Sequence, residues 1–238
     1  MRILGGSRTA WTSFIFSLAY LALGLEWLSD AHPPGPVGPF EAWFWVIAVA
    51  GCFVPGVANQ VTLARAYLAA PALAYSLSPG HLGPLAVVLA IAGLTDLVDG
   101  TIARRFGSYS TLGGGLDPVV DGVLLGAFAV GLVGSGIIPL WLAVVIVLRY
   151  LLPAIGGLVL ISLHRRPELR HTVSGQISTA LIIILIGGVC LFRFFNQDAS
   201  NVVTGAEIVL PIATVATFVH LGWVARKPSR PAAAPEAG

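Results

Sequence analysis

The chain has 238 residues, 56% hydrophobic and 10% charged, with a net charge of +2 and a mean hydropathy of +0.88. A soluble domain carries about 25% charged residues, so the composition excludes an ordinary soluble fold and predicts an all-α, polytopic integral membrane protein. The small net charge excludes electrostatic nucleic-acid binding.

A spanning helix needs about 20 mostly apolar residues. Eight such stretches occur in chain order, at roughly 10–28, 40–57, 61–78, 83–103, 115–135, 139–163, 175–195 and 203–225. Gly/Pro-rich connectors such as HPPGPVGPF and SPGHLGP separate several of them. No cleavable leader is expected, because the first apolar run carries Glu26 and lacks a small-residue cleavage site. Lys227 to Gly238 is Pro- and Ala-rich and reads as a disordered tail. Cys52 and Cys190 lie in apolar runs and read as small buried hydrophobes, not as a disulfide framework. The histidines at 32, 81, 164, 171 and 220 lack zinc-ligand spacing. Trp43 and Trp45, near a span end, read as interface anchors.

Eight spans put both termini on one side. Eleven of the 13 basic residues then share that side, leaving Arg193 opposite and Arg149 inside a span. The positive-inside rule makes that side cytoplasmic.

The chemistry concentrates between Leu94 and Gly122, in LTDLVDGTIARRFGSYSTLGGGLDPVVDG. Four aspartates lie there, at 96, 99, 117 and 121. Each ionised carboxylate costs about 2.5–3.5 kcal/mol at the centre of a membrane helix. Residues three and four apart share a helix face. Asp96 and Asp99 therefore line one helix, Asp117 and Asp121 the next, and the two helices are expected to present four carboxylates to each other. All-oxygen ligands favour hard cations, Mg²⁺ or Mn²⁺, and two divalent ions would balance four charges. Paired metals suit displacement at phosphorus, and Arg104 adds a cation for phosphate oxygens. Helix capping accounts for one aspartate, at Asp117-Pro118, and not for four in register.

Written as Asp96-x2-Asp99-Gly100-x2-Ala103-Arg104-x8-Gly113-x3-Asp117-x3-Asp121, the segment resembles the signature of the CDP-alcohol phosphatidyltransferases, with every motif position present. Asn59-x2-Thr62-x2-Arg65 is similar to the family's entry to its first core helix. The resemblance implies a six-helix core over 59–226, preceded by an extension at 1–58 with two transmembrane helices and followed by the tail at 227–238. It also implies transfer of a phosphatidyl group from a CDP-linked lipid to an alcohol, with release of CMP. Asp96, Asp99, Asp117 and Asp121 would hold two Mg²⁺ or Mn²⁺ ions, with Asp121 as general base on the acceptor. Thr62, Gly100, Ala103, Arg104 and Gly113 would bind the CDP-lipid, and Arg65, Arg149 and Arg170 the acceptor. A homodimer in a bacterial or archaeal inner or plasma membrane, its site facing the cytoplasm, completes the expectation.

The acceptor is left open by departures from the glycerol-phosphate members. Gly122 stands where they often carry Lys, and Gly175-Gln176-Ile177-Ser178-Thr179 lacks the two lysines of their Gly-Lys-x-Lys-Thr segment. Arg149-Tyr150 replaces an Arg–acid pair. Two rival readings of the same aspartates are a membrane phosphatase or pyrophosphatase using water, and a divalent-cation transporter. The Arg and Gly positions in the motif argue against the transporter.

Overall fold

A computed structural model describes the backbone of residues 3–106, 111–162 and 173–226, and the side chains of 10–78, 80–95, 116, 119–153, 155, 180–219 and 222. Among the described residues the fold is all-α, with nine α-helices and no strand. They are α1 (Ile3–Ala31), α2 (Gly38–Phe53), α3 (Val57–Tyr67), α4 (Ala69–Ser76), α5 (Leu82–Phe106), α6 (Thr111–Gly134), α7 (Leu140–Ser162), α8 (Val173–Phe194) and α9 (Ser200–Arg226). The tail at 227–238 and the basic loop carrying Arg165, Arg166 and Arg170 lie outside the described residues.

The third apolar stretch differs from expectation: it folds as two helices, α3 and α4, broken at Leu68. Pro71 is the cause. It has no N–H for the Tyr67 carbonyl, and its ring is tolerated only in a first turn, which α4 supplies. Other boundaries follow the same local chemistry. Val54, ahead of Pro55, is extended, and Gly56 takes a φ of 90° that an L-residue avoids, so α2 ends and α3 begins there. Asn196 (φ 55°) ends α8, with the Gln197 N–H donating to the Phe192 carbonyl at 2.8 Å.

α1–α2, α6–α7 and α8–α9 pack as hairpins, while α3 and α4 pack on both α5 and α6. A third element thus joins the two helices that carry the aspartates. The largest core cluster joins Leu85 (α5), Phe128 and Leu132 (α6), Leu142 and Ile146 (α7), Ile182 and Ile186 (α8) and Leu210 (α9). Gly131 permits a close approach of helices: a Cβ there would collide with the Ser76 side chain and lie 3.0 Å from the Leu73 carbonyl oxygen.

The outer surface is apolar. Trp11, Phe14, Ile15 and Leu18 on α1, and Ile208, Ile212, Val215 and Val219 on α9, are all exposed. Ala10–Ala31 and Ser200–Val219 are long and apolar enough to cross a membrane, and shorter apolar stretches occur in α2, α5, α6, α7 and α8. Two expectations are corrected. Cys52 is exposed on the outer face of α2, while Cys190 is buried. Trp43 turns inward and donates its indole N–H to the Ala66 carbonyl at 3.0 Å, whereas Trp45 is exposed.

Candidate functional site

α3 is a short helix with a polar buried face. Asn59, Gln60, Thr62 and Arg65 are all buried, although its composition is the least apolar of the bundle. Buried polar groups must be partnered, and one of these partners lies on α6. The Arg65 Nη1 donates to Asp121 Oδ1 at 2.8 Å, linking α3 to the last motif aspartate on α6. The Arg65 side chain is 3% exposed and that of Asp121 25%. The carboxylate is therefore fixed on its α3 side and open to solvent on another. Thr62 lies three residues before Arg65, on the same face, and its hydroxyl donates to the Ala58 carbonyl at 3.2 Å.

On the other flank α7 approaches α6 one residue further on. A Cβ at Gly122 would lie 2.9 Å from the Tyr150 Cβ. Gly122 is thus the residue that lets Tyr150 lie against the α6 backbone, which gives a packing reason for the missing side chain at this position. Arg149, the neighbour of Tyr150, is buried, with its guanidinium carbon 5.5 Å from the Tyr150 ring centroid. Two buried guanidiniums, from α3 and α7, therefore sit on helices that pack against α6. A charge of this kind is retained in a protein interior only against an anion or an oriented dipole.

The backbone places Asp96, Asp99, Gly100, Ala103 and Arg104 on α5, and Gly113 and Asp117 on α6. Their surroundings lie outside the described residues, as does Arg170 altogether. Among the described residues no group of three or more His, Cys, Asp or Glu gathers. The donor set nevertheless suits a hard divalent cation. It consists of carboxylates only, spaced three apart on α5 and four apart on α6, and the one whose side chain is described keeps a quarter of its surface accessible.

The Arg65–Asp121 ion pair spans 56 residues, and nothing local in the sequence signals it. The inward turn of Trp43 was readable. Phe40, Phe44, Ile47, Ala48 and Gly51 form the buried stripe of α2, and Trp43 falls on it at helical spacing while Trp45 does not. The same holds for Ser13, Ser17 and Tyr20 on α1, which recur every three or four residues and are all buried.

The family described as CDP-alcohol phosphatidyltransferase matches residues 56–219. A Drosophila melanogaster protein named "Probable cardiolipin synthase (CMP-forming)" is 33% identical over 162 residues, 60% of this chain and 50% of that protein. A Mycobacterium tuberculosis (strain H37Rv) "Probable phosphatidylglycerophosphate synthase" is 30% identical over 172 residues, 70% of this chain and 81% of that protein. The Bacillus subtilis "CDP-diacylglycerol--glycerol-3-phosphate 3-phosphatidyltransferase" is 30% identical over 179 residues, covering 69% and 90%. The chain spans half of the Drosophila relative and 29% of a Streptomyces coelicolor cardiolipin synthase. No solved structure matches.

Proposed function

This chain belongs to the CDP-alcohol phosphatidyltransferase family, and from that premise we propose that it transfers a phosphatidyl group from a CDP-linked lipid, such as CDP-diacylglycerol, to an alcohol. The acceptor oxygen forms a bond to the phosphatidyl phosphorus. The bond from that phosphorus to the bridging oxygen of CMP breaks, and the hydroxyl proton passes to the Asp121 carboxylate. The observation that carries this reading is the placement of Asp121. It is the last carboxylate of the motif, held from one side by a buried guanidinium at 2.8 Å and a quarter exposed. A base must sit within hydrogen-bond reach of the proton it takes, in a fixed orientation. Arg65 supplies that orientation.

Asp96, Asp99, Asp117 and Asp121 would hold divalent ions, Mg²⁺ or Mn²⁺, whose charge offsets that of the diphosphate when they are bound. Arg104 and the small residues Gly100, Ala103 and Gly113 are the positions at which α5 and α6 can admit a nucleotide. The Bacillus subtilis and Mycobacterium tuberculosis relatives are named for glycerol phosphate products or acceptors, and the Drosophila one for cardiolipin. A glycerol-based anionic acceptor is the class these names support here, with Arg149 the buried cation for it.

The exposed apolar faces of α1 and α9 support a membrane-spanning bundle. We read it as eight spans, α3 and α4 together making the third. The positive-inside rule then puts the motif at the cytoplasmic surface, where a lipid donor and a soluble or lipid acceptor meet. A homodimer is part of the same reading.

The test is direct. Purified protein in lipid nanodiscs, CDP-diacylglycerol and Mg²⁺ or Mn²⁺ should release CMP with glycerol 3-phosphate or phosphatidylglycerol, and much less with serine or inositol phosphate. CMP release at full rate with no alcohol present would instead identify a hydrolase. No CMP with any acceptor would refute the proposal.

A further inference from the structure

Residues 3–53 lie outside the family match, yet α1 and α2 pack on α3. The interface is fastened by polar side chains, not by apolar contact alone. The Tyr20 hydroxyl donates to the backbone carbonyl of Gln60. The Trp43 indole N–H donates to the backbone carbonyl of Ala66 at 3.0 Å. In return the Gln60 amide donates to the Gly51 and Val54 carbonyls, both at 2.7 Å, where α2 ends. Within the hairpin itself, the Ser13 hydroxyl donates to the Val54 carbonyl at 2.9 Å. The Tyr20–Gln60 and Gln60–Gly51 bonds are buried, and the other three are part-buried.

Two features of this set bear on the site. The bonds from Tyr20 and Trp43 end on the α3 backbone, so they hold the helix itself and not a side chain. They also bracket Arg65, one ending five residues before it and the other one residue after. α3 has 11 residues and is broken from α4 at Leu68. A helix so short is not aligned by its own continuation, so the lateral fasteners add to its packing on α5 and α6 in setting where it sits. Hydrogen bonds weaken steeply once distance and angle leave a narrow range, so a small slide of α3 would change how Arg65 meets Asp121.

We propose that Tyr20 and Trp43 are positioning residues for phosphatidyl transfer: they fasten the α1–α2 hairpin to both ends of the Arg65 segment of α3, and so set the orientation of Asp121. The inference rests on the reading of Asp121 as the base given above. It assigns the hairpin a part in the reaction although the family match begins after it.

The test compares three substitutions in nanodiscs, with CMP release and thermal unfolding both followed. Tyr20→Phe removes one oxygen, and Trp43→Phe removes the indole N–H. Trp27→Phe is the control: Trp27 donates to the Tyr75 hydroxyl at 2.8 Å, an indole N–H bond from the same hairpin, but to a side chain of α4 and away from Arg65. The double variant Tyr20→Phe/Trp43→Phe should lose about tenfold in kcat, with the KM for CDP-diacylglycerol within twofold. Trp27→Phe should keep kcat within twofold at a comparable loss of unfolding midpoint. An equal kcat loss in Trp27→Phe, or none in the double variant, overturns the proposal. Should the double variant fail to fold, Tyr20→Phe alone is compared with Trp27→Phe under the same criterion. A readout independent of turnover is the coupling of Arg65→Met with Asp121→Ala in unfolding. It should shrink by half or more in the Tyr20→Phe background, and an unchanged coupling overturns the proposal. Wild-type protein that releases no CMP defeats the transferase reading, and the coupling measurement then judges the fasteners alone.

Discussion

Breaking the Arg65–Asp121 pair from its two ends should have unequal consequences. Removing one partner of a buried ion pair costs about 3–5 kcal/mol, because the survivor is left as an uncompensated charge. The two survivors here are not equally buried: the Arg65 side chain is 3% exposed, the Asp121 side chain 25%. Asp121→Ala takes a carboxylate from the more deeply buried guanidinium, which water reaches poorly, and should be the costlier change, at about 4 kcal/mol. Arg65→Met strands a carboxylate that water can partly solvate, so its cost should fall to about 2 kcal/mol. The Arg65→Met/Asp121→Ala double variant removes both charges and should cost about 2–4 kcal/mol, less than the roughly 6 kcal/mol of the two single losses together. At about 2–4 °C per kcal/mol for a chain of this size, Asp121→Ala should lower the unfolding midpoint by roughly 8–16 °C and Arg65→Met by about half as much. The assay is thermal unfolding in nanodiscs across the four-member cycle, with a coupling of about 2 kcal/mol or more expected for groups in direct contact. Additive effects would refute the pairing, and a larger loss from Arg65→Met than from Asp121→Ala would refute the reasoning from burial asymmetry.

Asp121→Asn keeps an oxygen for Arg65 but cannot take a proton at neutral pH; CMP release should fall by at least about 10² while CDP-lipid binding, read by competition, stays within a few-fold. Removing divalent ions with EDTA should abolish turnover and added Mg²⁺ or Mn²⁺ restore it; full turnover in EDTA would contradict the metal assignment. Gly131→Ala drives a methyl into Ser76 and the Leu73 carbonyl, and should cost about 1–3 kcal/mol by overpacking, visible as a lower unfolding midpoint. Asp198 tests a surface contact between α8 and α9. The Ser200 backbone N–H, then its hydroxyl, hold this carboxyl below its ordinary range. A depressed value in the folded state means the stabilisation is present above the unfolded value, about 3.9, and is lost as pH falls through the folded one. The small midpoint gap between wild type and Asp198→Ala should therefore be constant from about pH 7 to 5 and close below about pH 4; a gap that widens on acidification would exclude this account.

Much of the helical architecture is legible in the chain itself. The eight apolar stretches recur as α1, α2, the α3–α4 pair and α5 to α9, because helix formation depends on run length and on Pro and Gly placed within a few residues. Pro71 shows the limit of that reading. It lies inside a stretch long enough to be one helix, and only the backbone shows that its missing donor divides the stretch at Leu68. Outward and inward faces are readable in part. The stripe through Phe40, Phe44 and Ile47 already includes Trp43 at helical spacing, yet a tryptophan near a span end reads more readily as an interface anchor.

The motif by itself nominated the residues proposed to carry the chemistry and, through family membership, which family reaction to test, since a spacing of three or four on a helix is a local property. What only the tertiary structure decided is which distant groups meet. Arg65 turns to Asp121 across 56 residues, Tyr150 lies against Gly122, and the α1–α2 hairpin grips α3 by its carbonyls. The reason is physical. A helix closes its own hydrogen bonds within four residues, so sequence spacing governs it, whereas the partner of a buried side chain is chosen by how helices far apart in the chain pack around it.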